Sequence, residues 1–288
     1  MSIRAELELT GPRPVAGTRA EKKNYAERLS RRLAVRFANS LRGWFDGISP
    51  DEDGGRQEKP ARTAKGVKKL DVNYSTAELG LGLGVSIKTI NFPDDRTGRY
   101  TKNFTRVDNE LRAEAKDYHQ RQPYAVLVGV LYLPSDACRD GSPPNGAPSS
   151  FGEAVRHLRH RSNRVNPTNE EELFERFFIG IYEPDGPTEG ADWYFDVMAK
   201  PPRHGRPVQR DRLPFEKVIG LIRGEYDRRN NPPFEWAEDS DWTALPYLSE
   251  KPRARFFRIG LTSVRFQSNV AAEIAIDHGR GVGTAKSP

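Results

Sequence analysis

Cysteine is nearly absent, with Cys138 alone among 288 residues. One thiol excludes an intramolecular disulfide framework and any multi-cysteine zinc site, so a reducing cytoplasm is the expected setting. Cys138 itself reads as a loop thiol without a role. Long apolar runs are missing too. No stretch reaches eighteen consecutive apolar residues, and the opening MSIRAELELTGPRP has no apolar segment behind its positive charges. Neither a membrane span nor a secretory leader is expected. No internal repeat is visible.

What the chain has is charge. Charged residues make up 30% against 36% hydrophobic, and the mean hydropathy is −0.75. The apolar residues are gathered in short runs, which suits a soluble α/β or α+β protein of one large domain, or one domain with an appended lobe. Lys and Arg number 46 against 40 acids, a formal net charge of +6. The excess is mainly arginine, whose planar fork suits phosphate and guanine edges, so a polyanionic partner gains weight.

Residues 1–17 carry the breakers Gly11, Pro12, Pro14 and Gly17 and read as a loosely held arm. Thr18 with Glu21 has the form of a capping box, and Tyr25, Leu29, Leu33, Phe37, Leu41 and Phe45 recur at a four-residue step, predicting an amphipathic helix. Its other face carries Lys22, Lys23, Arg28, Arg31, Arg32, Arg36 and Arg42, read as solvated or DNA-facing. Residues 46–64 are a polar loop. Strands are expected at Lys69–Thr76 and Leu81–Phe92, a basic loop at 93–106, a helix from about Thr105 to Gln122, and at Tyr124–Leu133 a strand apolar on both faces, as a covered central strand should be. Beyond a surface loop at 134–150, Phe151–Arg161 and Asn169–Arg176 read as short helices, Phe177–Tyr182 and Trp193–Met198 as strands, 200–207 as a basic turn, and Leu213–Arg228 as a helix. Arg255–Phe266 reads as a strand or hairpin.

The chemistry concentrates in residues 65–134. Phosphodiester hydrolysis by a metal enzyme needs carboxylates for a divalent ion and a cation to orient water and balance charge. Adjacent strands supply such a set, and Asp71 and Lys88 are placed to sit about 5 Å apart across a ladder, with Ser86 on the same face as Lys88. On the following helix Glu114 lies within about 60° of Leu111 on the sheet-facing side, and Glu110 about 100° away, so Glu114 ranks first.

The order strand, strand, helix, apolar strand, with Asp71 on one strand and Ser86-Ile87-Lys88 on the next, resembles the PD-(D/E)XK nucleases, the superfamily of most restriction endonucleases. Leu70 stands where that pattern has proline, and Ser86 where it has an acid. One branch of type II restriction enzymes shows the same Ser-x-Lys and takes its glutamate from the following helix, and Arg112-Ala113-Glu114-Ala115 is similar to the run that carries it there.

The resemblance implies an α/β fold with a restriction-endonuclease-like core, a mixed central sheet flanked by helices, and additional α+β elements in the C-terminal half. It divides the chain into an arm and helix (1–64), a nuclease-like core (65–134), a part of the same domain for DNA grip, dimerisation or specificity (135–278) and a disordered tail (279–288). It implies a Mg²⁺-dependent endonuclease on duplex DNA, a homodimer or higher homo-oligomer, and a bacterial restriction or defence role. Asp71 and Glu114 would bind Mg²⁺, Lys88 would position and help deprotonate the attacking water, and Ser86 would hydrogen-bond within the site. Glu110, Glu78 and Glu27 are spare acids. Asp196 and Lys200 form a second acid-lysine pair, read as structural.

Arg96, Arg99, Lys102 and Arg106 beside the core, and Arg156, Arg159, Arg161 and Arg164 in RHLRHRSNR, are the candidates for phosphate contact, which supplies affinity without sequence information. His157 and His160, three apart but without a third ligand, read as part of that basic face. Two other readings stay open: a catalytically inactive nucleic-acid-binding module, favoured by Ser86, and a basic protein-interaction protein.

Overall fold

The alternation of short β-type runs with amphipathic helices becomes a layered α/β structure. The computed structural model describes residues 2–55, 60–63, 65–77, 80–142, 146–168 and 170–229, all within a unit that ends at Arg229. Glu78, the expected strand at Arg255–Phe266 and the tail from Gly279 lie outside the described residues.

Helices α1 (Arg4–Thr10) and α2 (Arg19–Leu41) come first. A two-stranded hairpin of β1 (Pro60–Thr63) and β2 (Gly66–Lys69) follows, then β3 (Val72–Thr76), β4 (Gly80–Thr89), α3 (Phe104–His119), β5 (Val126–Pro134), α4 (Ser150–Leu158), β6 (Arg176–Tyr182), β7 (Asp192–Asp196) and α5 (Phe215–Arg229). Five strands form one mixed open sheet in the order β3-β4-β5-β6-β7. The outer pairs β3/β4 and β6/β7 are antiparallel, and the inner pairs β4/β5 and β5/β6 are parallel. No helix among the described residues is long and apolar enough to cross a membrane.

Parallel neighbours need crossovers, and α3 and α4 provide them. Both helices bury Val107, Leu111, Ala115, Tyr118, Phe151 and Leu158 with Leu127, Leu131 and Ile179 on one face of the sheet. On the opposite face α2 and α5 pack Leu29, Leu33, Phe37, Val218 and Ile222 against Val85, Ile87, Val128 and Val130. Covered on both faces, β5 is buried at all nine positions, as its unbroken apolar run demands. In the β5/β6 register Gly129 faces Phe177 and Gly180 faces Tyr132. Each aromatic ring folds over its glycine partner, so that an added Cβ would lie 2.2 Å from the Phe177 ring and 2.9 Å from that of Tyr132.

The capping box at Thr18 and Glu21 forms as its residues predict. Elsewhere tertiary partners override local reading. The arm expected to be loose contains α1, because Ile3 and Leu7 are buried and the Ile3 N–H donates to the Gly190 carbonyl at 2.9 Å. Arg36, assigned to a solvated face, is 7% exposed and pairs with Asp192 at 2.8 Å over the ring of Phe215. The polar loop at 46–64 gives way to β1 at Pro60, and the first expected strand breaks at Leu70–Asp71 into β2 and β3. Of the short helix expected at Asn169–Arg176, residues 170–175 are turn and coil, Arg176 opens β6, and Asn169 lies outside the described residues. Cys138 is fully buried, not loosely placed in a surface loop, and burial pushes its thiol up to about 12.

Candidate active site

The chain enters the sheet at Asp71, one residue before β3. Because Val72 faces Val85, Asp71 falls level with Ser86 and not, as the ladder estimate placed it, with Lys88. Pairing with β3 stops at Val85, and the Asp71 carboxylate takes the next N–H that β4 offers on this edge: Ile87 N–H donates to Oδ2 at 2.7 Å. That bond fixes where the acid stands.

Strand alternation then separates the β4 side chains. Val85 and Ile87 face α2 and α5, which leaves Ser86 and Lys88 on the face covered by α3. Lys88 Nζ reaches Glu114 Oε2 of α3 at 3.2 Å, with side-chain exposures of 25% and 15%. Burial alone would lower the lysine pKa, but the carboxylates of Glu114 and Asp71, with Glu110 behind them, outweigh it and leave it raised. Lys88 is therefore held as a cation in the protein as it stands. Glu114 and Asp71 are the carboxylates here that could hold a hard cation. Among the described residues, no group of three or more His, Cys, Asp or Glu side chains is placed to bind a metal.

Two hydroxyls complete the cluster. Ser86 is 1% exposed and Tyr118, one turn beyond Glu114 on α3, is fully buried. Neither Ser86 Oγ nor the Tyr118 hydroxyl makes a hydrogen bond among the described residues. Burial and the negative charges of Glu114 and Asp71 raise the Tyr118 pKa, which keeps it a donor. Sequence periodicity marks Tyr118 only as one of a buried stripe. The signal for more was its i, i+4 spacing from Glu114.

The spare acids fare differently. Glu110 is half exposed, pairs with Arg106 at 2.7 Å and adds to the field on Lys88. Glu27 is exposed and pairs with Lys23 at 3.5 Å, on a helix that packs on the opposite face of the sheet from Ser86 and Lys88. Asp196 is bound by Arg176 at 3.1 Å, the structural role expected of it.

The eight basic candidates divide. Arg96 and Arg156 are exposed, Lys102 is exposed and bound to Asp94, and Arg106 is exposed beside Glu110. Arg156 also borders a surface cavity of about 410 Å³ between the start of α3 and the flank of α4, with Thr101, Phe104, Thr105, Glu153 and His157. The other four hold the fold together. Arg99 binds Glu153 and the Pro148 carbonyl, and Arg159 binds the carbonyls of Val197 and Ala199. Arg161 grips Asp108 through two bonds of 2.6 and 3.0 Å. Arg164 is 1% exposed and pairs with Glu175 at 3.0 Å. A guanidinium buried against a carboxylate is not available to a phosphate, so Arg161 and Arg164 are corrected from DNA contact to internal ties.

No protein-family model, no curated protein and no solved structure matches this chain.

Proposed function

We propose that the protein is a Mg²⁺-dependent endodeoxyribonuclease on a restriction-endonuclease-like core, hydrolysing phosphodiester bonds in duplex DNA. The observation that carries this is the 3.2 Å contact between Lys88 on β4 and Glu114 on α3. It joins two side chains 26 residues apart, on the face that also holds Ser86 and the charge of Asp71. A plain surface glutamate and a solvent-bound lysine would not meet under a helix.

The donor set suits the ion. Mg²⁺ binds through one or two carboxylates and keeps several waters, so Asp71 and Glu114 are enough without a third protein acid, and buried hydroxyls without protein partners are natural neighbours for such waters. Bound there, Mg²⁺ would supply charge neutralisation and acidify a coordinated water. Lys88, held as an ammonium, suits orienting the attacking water and countering charge that develops on the phosphate, not accepting a proton. Ser86 supplies a hydroxyl beside Asp71. The exposed Arg96, Lys102, Arg106 and Arg156 suit phosphate contact along the duplex. Cutting both strands calls for two sites, hence a homodimer or higher oligomer, in a cytoplasmic restriction or defence role.

The test is incubation of wild type, Asp71→Ala and Lys88→Ala with mixed plasmid and phage DNA, including unmodified DNA, in Mg²⁺ or EDTA. Discrete fragments from wild type in Mg²⁺ alone are the expected result. A second reading, an inactive DNA-binding module, rests on the serine at position 86 in the place of an acid. Salt-dependent gel shifts with no cleavage on any substrate would select it.

A further inference from the structure

Buried hydroxyls without partners are costly, and native structures keep few of them without a reason. Two occur here on facing elements. Tyr118 hangs from α3 and Ser86 from β4, and both hydroxyls are buried and unbonded among the described residues. The Tyr118 hydroxyl stands in the field of Glu114 and Asp71. Ser86 is level with Asp71 across the β3/β4 edge and with Gly129 on its other side. The ring of Phe177 covers the glycine on that side.

We propose that Tyr118 is a positioning residue of this site, its hydroxyl donating a hydrogen bond to an oxygen ligand, water or phosphate oxygen, that a divalent cation brings between Asp71 and Glu114. The assignment rests on the nuclease reading for the identity of the phosphate, but not for the cation and its water. A phenol is un-ionised at neutral pH, so it can donate there and does not compete for the metal. It therefore acts through the ligand oxygen. Ser86 is the second hydroxyl on the same face, able to donate or accept.

The experiment uses the full chain as wild type, Tyr118→Phe and Asp71→Ala, titrated with MgCl₂ and with MnCl₂ by calorimetry. Melting temperatures are read without and with the metal, and cleavage kinetics follow as a separate readout. Tyr118→Phe is expected to weaken cation affinity about tenfold, as loss of a group bonded to a metal's ligands does. It should leave the metal-free melting temperature unchanged or higher, since the hydroxyl removed has no protein partner. A lower metal-free melting temperature would mean an internal partner and a structural role, and unchanged affinity would place the hydroxyl outside the site. Either overturns the assignment.

The two proposals separate cleanly. If Asp71→Ala and Tyr118→Phe both weaken cation binding while wild type cuts no DNA, the nuclease reading falls and Tyr118 stands. If wild type cuts and Tyr118→Phe matches it in affinity and rate, Tyr118 falls alone. Absence of any Mg²⁺ or Mn²⁺ uptake by wild type removes both.

Discussion

Gly129→Ala should unsettle the centre of the sheet. The methyl group would lie 2.2 Å from Phe177 Cε2 and 2.3 Å from Cδ2, about 1.3 Å short of the ~3.5 Å at which carbons make contact. The ring cannot simply swing away. Phe177 is fully buried and stands edge-on to Phe174 at 5.7 Å, and its backbone is pinned opposite Gly129 in the parallel ladder. Overpacking of this kind costs about 1–3 kcal/mol, and a site locked by both backbone and ring belongs near the top of that range. With a urea dependence of ~2–3 kcal/mol per molar, the unfolding midpoint should drop by about 1 M. Phe177→Leu removes the obstructing edge of the ring, so the double variant should be more stable than the sum of the single costs predicts, with a coupling of about 1–2 kcal/mol. Tryptophan fluorescence in urea measures both. A midpoint within ~0.3 M of wild type for Gly129→Ala, or single costs that add within ~0.5 kcal/mol, would show that the ring is not seated over the glycine.

Other perturbations test other parts of the fold. Glu175 is 4% exposed. Burial alone would raise its pKa, but His119, the Leu127 N–H and Arg164 leave it lowered. Its contribution is therefore present above the ordinary carboxylate value of 4.5 and lost as pH falls through the lowered one. Glu175→Gln should flatten the acid limb of a melting-temperature profile, and Arg164→Met, which leaves the carboxylate to Arg229 at 2.7 Å and the Leu127 N–H, should cost about 1–3 kcal/mol by urea unfolding. Arg36→Met should cost about 3–5 kcal/mol by leaving the buried Asp192 without its cation, while adding Asp192→Leu should restore part of it; a double variant worse than the single one would contradict the pairing. Cys138, buried with its thiol pushed up to about 12, should resist a disulfide exchange reagent at pH 8 and react once the chain is unfolded in urea. Rapid labelling of the native protein would contradict its burial.

Much of this architecture was legible in local pattern. The four-residue step from Tyr25 to Leu41, the stripe Val107, Leu111, Ala115, Tyr118 and the unbroken run of β5 each carry their own periodicity, so α2, α3 and the central strand needed no distant information. The meeting of Lys88 with Glu114 followed from strand alternation and the helical wheel. What failed were residues whose environment is set from far away. Arg36 looks like its basic neighbours until Asp192, 156 residues on, receives it. Arg164 closes a pair with Glu175 that no run of arginines announces. Residues 1–17 look like a coil because the groups that order α1, including the Gly190 carbonyl, come from the loop before β7. The register that set Asp71 against Ser86 depended on where β2 ends and β3 begins, which no propensity marks. The unbonded hydroxyl of Tyr118 is a property of packing alone.

The position of α2 and α5 carries a consequence for any attempt to isolate the chemistry. Every residue of the candidate site lies between Asp71 and Tyr118, a stretch short enough to be moved between proteins as one cassette. Yet the opposite face of the sheet it belongs to, with Val72, Val85 and Ile87 from the cassette and Val128 and Val130 from β5, is roofed by α2 and α5, which lie outside it on either side. The site is local in sequence, and its solubility is not. A fragment of residues 65–134 would keep all the candidate catalytic groups and present a bare apolar sheet to water, a surface that drives aggregation. The compact unit that holds both the site and its roof runs from Met1 to Arg229.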